Sequence, residues 1–100
     1  MNVIFLAEAK AEFLDSISYY EETQLDLGRR FKESVERMVQ RITADPEHYR
    51  QRALGYRRVN LQVFPYYIPY IVRDSRLWIL AVAHGSRKPA YWIARKKDIF

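Results

Sequence analysis

The apolar positions of this chain change period twice. Asn2 to Leu6 (NVIFL) is a short apolar run that reads as a strand. From Ala7 the spacing becomes helical: Ala9, Phe13, Ile17 and Tyr20 recur at intervals of 4, 4 and 3, with Glu8, Glu12, Asp15 and Glu22 largely elsewhere. No Ser, Thr, Asp or Asn stands at the expected N-cap near Leu6 or Ala7, although acids in the first turn suit the helix dipole. A second helix is expected from Asp26 or Leu27 to about Ala44, with Leu27, Phe31, Val35, Met38, Val39 and Ile42 as its stripe. Asp26 fits its N-cap, and Asp45-Pro46 stops it because the residue before proline avoids the α region. Gly28 costs that helix about 1 kcal/mol relative to alanine. It either lets the two helices approach closely or marks the helix start.

After Pro46–Gly55, a polar and basic connection, the pattern turns to strands. Arg57–Leu61 mixes apolar and basic residues, Tyr66–Arg73 is β-branched and aromatic, and Leu77–His84 (LWILAVAH) is almost wholly apolar. Asp74-Ser75-Arg76 is a polar break that joins the last two as a hairpin. Leu77–His84 lacks alternation, which predicts a central strand covered on both faces. Pro69 has no N–H to give a ladder, so it predicts an edge position or a bulge. Gly85–Pro89 is a basic turn, and Ala90–Phe100 reads as a short strand or a frayed helix. The order is β-α-α-β-β-β, an α+β fold in one domain, residues 1–100. A helix hairpin cannot bury its stripes alone, so it should pack on one face of a mainly antiparallel four-strand sheet. The two-helix crossover lets the first strand join that sheet beside a later one.

Composition narrows the chemistry. The chain has 100 residues, 49% of them hydrophobic, enough for one core. It has no cysteine, and His48 and His84 lie far apart, so neither a thiolate nor a zinc site is expected. No apolar run approaches the roughly 20 residues that span a bilayer, which makes a soluble cytoplasmic protein without membrane partners the expectation. Charge is uneven. Residues 1–28 hold six acids against Lys10, a balance of −5, while residues 29–100 hold 16 bases against 6 acids, a balance of +10. Such a split points to a polyanionic target or an acidic partner for the later part, or else is a solvated surface that keeps a small protein soluble, and only the placement of the charges separates the two.

An ordered set of residues carries a resemblance. Tyr19-Tyr20-Glu21, Leu27-Gly28-x-x-Phe31, Ile42 with Asp45-Pro46, Gly55-Tyr56-Arg57-Arg58, Phe64-Pro65-Tyr66 with Ile68 and Tyr70, Ala81-Val82-Ala83-His84, and Arg87-Lys88-Pro89-x-Tyr91-Trp92 follow one another at these spacings. The chain resembles the RelE/ParE superfamily of toxins from type II toxin–antitoxin modules, nearest its ParE-like (plasmid stabilisation) branch. The resemblance implies a toxin that needs no cofactor, inhibits growth and is neutralised by a cognate antitoxin. ParE-like members are described as poisoning DNA gyrase; the alternative is a RelE-like, ribosome-dependent messenger RNA endoribonuclease.

Metal-free RNA cleavage needs a base, an acid and positive groups for the developing phosphorane charge. By resemblance, Arg57 or Arg58, His84, Arg87 and Tyr91 would serve. The arginine of the middle strand has no counterpart, because Tyr66 or Tyr67 stands there, and a tyrosine cannot supply a fixed positive charge. No catalytic residue is therefore favoured, and a non-catalytic gyrase inhibitor is the expected reading. For the target contact the resemblance points to Arg87, Lys88, Tyr91, Trp92 and the basic run Arg95, Lys96, Lys97. Of the aromatic residues, Tyr67, Tyr91 and Trp92 are expected at the surface. The antitoxin is expected to bring an acidic segment that folds on docking, meeting Arg57, Arg58, Arg87 and Lys88 and covering part of the sheet that the helices leave open.

Overall fold

The computed structural model describes residues 1–100. Strand β1 (Asn2–Phe5) leads into helix α1 (Ala7–Thr23) and helix α2 (Leu27–Ala44). Strands β2 (Arg57–Asn60), β3 (Tyr66–Arg73), β4 (Arg76–Ile79) and β5 (Ala83–His84) follow, and a 3₁₀ helix spans Ile93–Asp98. The architecture is α+β, with the helix pair packed on one sheet.

The sheet is mixed. Its order is β1-β4-β3-β2, with β5 pairing to β3 beyond the end of β4. β1 runs parallel to β4, Val3 opposite Leu77, whereas the other pairings are antiparallel. A parallel pair needs a long crossover, and the helix hairpin supplies it. β4 thus has two neighbours, as its apolar sequence required.

Leu77–His84 is nonetheless not one strand. β3 pairs Tyr70 with Ile79 and Tyr67 with Ala83, so Ile68 and Pro69 face three residues, Leu80, Ala81 and Val82. That extra residue is a bulge, and it breaks the expected strand into β4 and β5. Pro69 lies in a central strand rather than at an edge, against this bulge, where its missing N–H removes no regular ladder bond. Its carbonyl still accepts the Leu80 N–H at 2.9 Å.

Both helices lie as their apolar spacing requires. Ala9 of α1 is buried, with Phe13, Ile17 and Tyr20 partly so, while Phe31, Val35, Met38 and Ile42 of α2 are buried. Tyr66 and Tyr70 face this layer: Tyr66 Oη donates to Ser16 Oγ at 3.1 Å and Tyr70 Oη to the Pro46 carbonyl at 2.7 Å. Burial beside Tyr66 pushes the Tyr20 hydroxyl up to about 12, and burial pushes Tyr70 to about 12 as well.

The cap of α2 differs from expectation. Asp26 sits at the N-cap position in a left-handed conformation, φ 72°, and its side chain caps nothing. Its carboxylate is held by Arg29 at 2.6 and 2.7 Å, which lowers its pKa. The capping carboxylate is Glu21, which accepts the N–H groups of Asp26 (2.9 Å) and Gly28 (3.0 Å). Gly28 is needed for close approach, since a Cβ there would stand 2.6 Å from the Ile17 carbonyl oxygen.

The other face of the sheet is not left open. Ala90–Phe100, neither a strand nor an α-helix, folds over it as a turn and the 3₁₀ helix. Trp92 is 1% exposed, its ring 4.6 Å from Tyr56, and its Nε1 donates to Tyr67 Oη at 2.9 Å. The Arg73 guanidinium lies 4.0 Å over the Phe100 ring. The expectation of an uncovered sheet face waiting for a partner is therefore overturned: the chain's own C-terminal segment covers it.

Candidate functional site

The bulge exposes backbone groups that a regular strand would pair. β1 stops at Phe5, so the outer edge of residues 80–82 has no neighbouring strand. Two charged side chains take its place. Glu12 Oε1 accepts the Val82 N–H at 3.2 Å, and Arg95 Nη1 donates to the Leu80 carbonyl at 3.0 Å. Arg95 also forks onto both oxygens of Glu12 at 3.0 Å. Tyr91 Oη donates to Glu12 Oε2 at 2.6 Å, and Arg87 reaches the same oxygen at 3.4 Å from its stacked position 3.7 Å over the Tyr91 ring. The helix layer and the C-terminal segment are thus tied together around the edge of the sheet.

This arrangement sets the state of the groups. Burial, then the hydrogen bond to Glu12, raises the Tyr91 pKa well above the tyrosine range, so its hydroxyl stays protonated. Burial disfavours the Arg95 charge, yet the Glu12 hydrogen bond and charge outweigh it and hold its pKa above the ordinary value.

The sequence-predicted site residues fall into three groups. Tyr67 and Trp92, expected at the surface, are buried at 6% and 1% exposure. Arg95 has a side chain only 16% exposed and already paired, and Lys96 Nζ donates to the Leu54 carbonyl. Among the remaining candidates Arg87, Lys88 and Lys97 are exposed and Tyr91 is half-buried. Arg57 and Arg58 point to opposite faces. Arg57 Nε donates to the Tyr49 carbonyl at 2.8 Å under the Pro46–Gly55 connection, while Arg58 stacks 3.8 Å over the Tyr67 ring and donates to Asn60 Oδ1 at 2.9 Å.

His84 is turned inward on itself. Its Nδ1 accepts the Ser86 N–H at 3.0 Å, with Ser86 Oγ 2.7 Å away, and its ring meets Tyr66 edge-on at 5.0 Å. No side-chain hydrogen bond, ion pair or ring contact links it to Arg57, Arg58, Arg87 or Tyr91. No cluster of His, Asp or Glu converges as a metal would require. No helix is long and apolar enough to cross a membrane.

Glu12, the centre of the C-terminal clasp, stands out in the sequence only as one of the acids largely off the apolar face of the first helix. Its partners lie 70 to 83 positions away, so no local spacing signals it.

Comparison with known proteins gives this geometry a family. Residues 3–89 match the family model described as ParE toxin of type II toxin-antitoxin system, parDE. The protein called Toxin ParE2 in two strains of Mycobacterium tuberculosis, CDC 1551 / Oshkosh and ATCC 25618 / H37Rv, is similar to this chain. In each case identity is 30% over 79 residues, covering 78% of this chain and 75% of the relative. The fold resembles a solved chain of the chromosomal ParDE TA system from P. aeruginosa, with a TM-score of 0.62 at 19% identity over 84% of this chain and 95% of that one. A helix hairpin on a mixed sheet, in a chain matched over residues 3–89, belongs to the ParE toxins of type II toxin–antitoxin systems.

Proposed function

We propose that this chain inhibits growth by binding DNA gyrase, and that a cognate antitoxin with an acidic, folding-on-docking segment holds it inactive. Family membership supports the class of toxin. One observation favours gyrase over messenger RNA: the groups a RelE-like nuclease would use are separated or occupied. Tyr91 is bound to Glu12, His84 Nδ1 to Ser86 and Arg57 to a backbone carbonyl, so each already spends its hydrogen bond within the fold. General acid–base catalysis requires such groups within hydrogen-bond reach of one reacting atom. Inhibition by binding does not.

The surface left for the target is the exposed rim of Arg87, Lys88 and Lys97, with Tyr91 beside it. Arg58, Arg87 and Lys88 remain the rim for antitoxin acids, while Arg57 is tied beneath the Pro46–Gly55 connection. The balance of +10 on residues 29–100 favours encounter with an acidic chain. A gyrase inhibitor would act in the cytoplasm.

Induction in cells without antitoxin separates the two readings. A reporter plasmid should lose negative supercoiling while messenger RNA ends show no codon-positioned cuts. Codon-positioned cleavage with normal supercoiling would replace gyrase by the ribosome as the target.

A further inference from the structure

Strand β2 is the last strand on its side of the sheet and pairs only with β3. In that register the Leu61 N–H donates to the Tyr66 carbonyl at 3.0 Å, so the backbone groups of Arg57, Val59 and Leu61 face β3. Those of Arg58 and Asn60 therefore face outward, and no other part of the chain bonds them. A hollow lies on either side of this open edge. On the helix side, Met38, Val59 and Tyr49 line a space of about 280 Å³ whose charged walls are Arg41, Arg52 and Arg58. On the Tyr67 side, Phe64 and Pro65 border a space of about 250 Å³ in which Arg58 is the one charged residue. Glu33 and Asp45 line hollows farther along α2, not these two.

An unpaired edge is a template for a further strand, whose side chains would alternate between the two faces. Here each alternate side chain meets a hollow with apolar residues in its lining. The sheet face is closed by Ala90–Phe100, so the edge is what the sheet still offers a partner. A phosphodiester backbone has no alternating N–H and C=O to complete the ladder; a polypeptide has. A second copy of this chain is disfavoured, because pairing β2 with itself would set Arg41, Arg52 and Arg58 against their own counterparts. The same charges admit an acidic strand. At the opposite edge of the sheet, β1 turns the backbone of Val3 and Phe5 outward, but Glu36 is the one charged residue of the hollow beside it. Charge thus selects both an acidic polypeptide and the β2 edge. Resting on the antitoxin proposed above, we infer that its acidic segment adds as a strand to β2. Its main chain bonds Arg58 and Asn60, apolar side chains enter the two hollows, and acids lie beside Arg41 and Arg52.

Amide hydrogen exchange, read by NMR on the chain alone and in complex with its cognate antitoxin, tests this. The Arg58 and Asn60 amides should slow about tenfold or more in the complex, while those of Val3 and Phe5 stay as they were. Proline is tolerated at an edge position whose N–H faces solvent, so Asn60→Pro keeps the β2–β3 ladder and removes one outward donor. It should weaken the complex about tenfold, and Val3→Pro at the other edge should change it less than about twofold. The exchange measurement uses the unaltered chain and stands even if a variant folds poorly. A complex that forms with Arg58 and Asn60 exchanging as in the free chain would overturn the strand addition and leave the antitoxin reading intact. Equal slowing at Val3 and Phe5 would mean a general tightening and would overturn it too. Protection of the same two amides in the free chain at high concentration would give the edge to a second copy instead. Absence of any complex would overturn the antitoxin reading and this inference with it.

Discussion

Glu12 and Arg95 meet across 83 positions of chain, joined by two hydrogen bonds of 3.0 Å. Both side chains are only 16% exposed, and between them they occupy the open backbone groups of the bulge. Removing one member of such a pair leaves the other charge without a partner. Glu12→Ala should therefore destabilise the fold by about 3 kcal/mol and loosen residues 91–100 first. Arg87→Ala removes a 3.4 Å ion pair and the stacking on Tyr91 from a side chain 53% exposed, for which about 0–1 kcal/mol is expected. Urea unfolding and amide hydrogen exchange measure both; equal small losses would mean that the clasp holds nothing.

Gly28 faces the Ile17 carbonyl so closely that any side chain must push the helices apart. Gly28→Ala is expected to lose about 2 kcal/mol, despite alanine's better helix propensity. A stabilised variant in thermal melting would show that the hairpin has slack at this point.

Glu21 takes the capping role expected of Asp26. Glu21→Ala should cost about 1 kcal/mol, while Asp26→Ala should cost less because its exposed pair with Arg29 is weak. Melting temperatures of the two variants in parallel decide the order.

Much of this fold was legible in the sequence, and the failures share a cause. Helix α2 and strand β3 announce themselves through local period and turn residues. The bulge at Leu80–Val82 does not, because it interrupts an unbroken apolar run in which every residue suits either a strand or its break. Trp92 and Arg95 looked like surface residues because their partners, Tyr67 and Glu12, come from elements far away in the chain. The site was legible only as residue types. That Tyr91 is bound to Glu12, and Arg57 to a backbone carbonyl, follows from tertiary packing alone.

Tyr20 and Tyr70 both ionise late, near pH 12, because burial disfavours the phenolate. Their folded pKa lies above the unfolded value near 10, so their contribution to stability is complete below pH 10 and is lost as pH rises toward 12. Absorbance titration of Tyr20→Phe and Tyr70→Phe should each lose one late-ionising chromophore. Loss of an early one instead would mean that the ring is open to water.

Arg87 and Lys88 are exposed and placed to steer an acidic antitoxin. Reversing both charges should slow association about tenfold and flatten its dependence on salt, with the fold intact. Stopped-flow mixing measures this, and unchanged rates would move the docking rim elsewhere.

The gyrase reading is tested most directly with purified components. Gyrase, relaxed plasmid and ATP are combined with increasing amounts of this chain, and supercoiled and cleaved plasmid are resolved on a gel. Supercoiling should be blocked or cleavage complexes should accumulate, and adding the cognate antitoxin should reverse the effect. Gyrase that supercoils normally at a large molar excess of folded toxin, without added cleavage, would contradict the account.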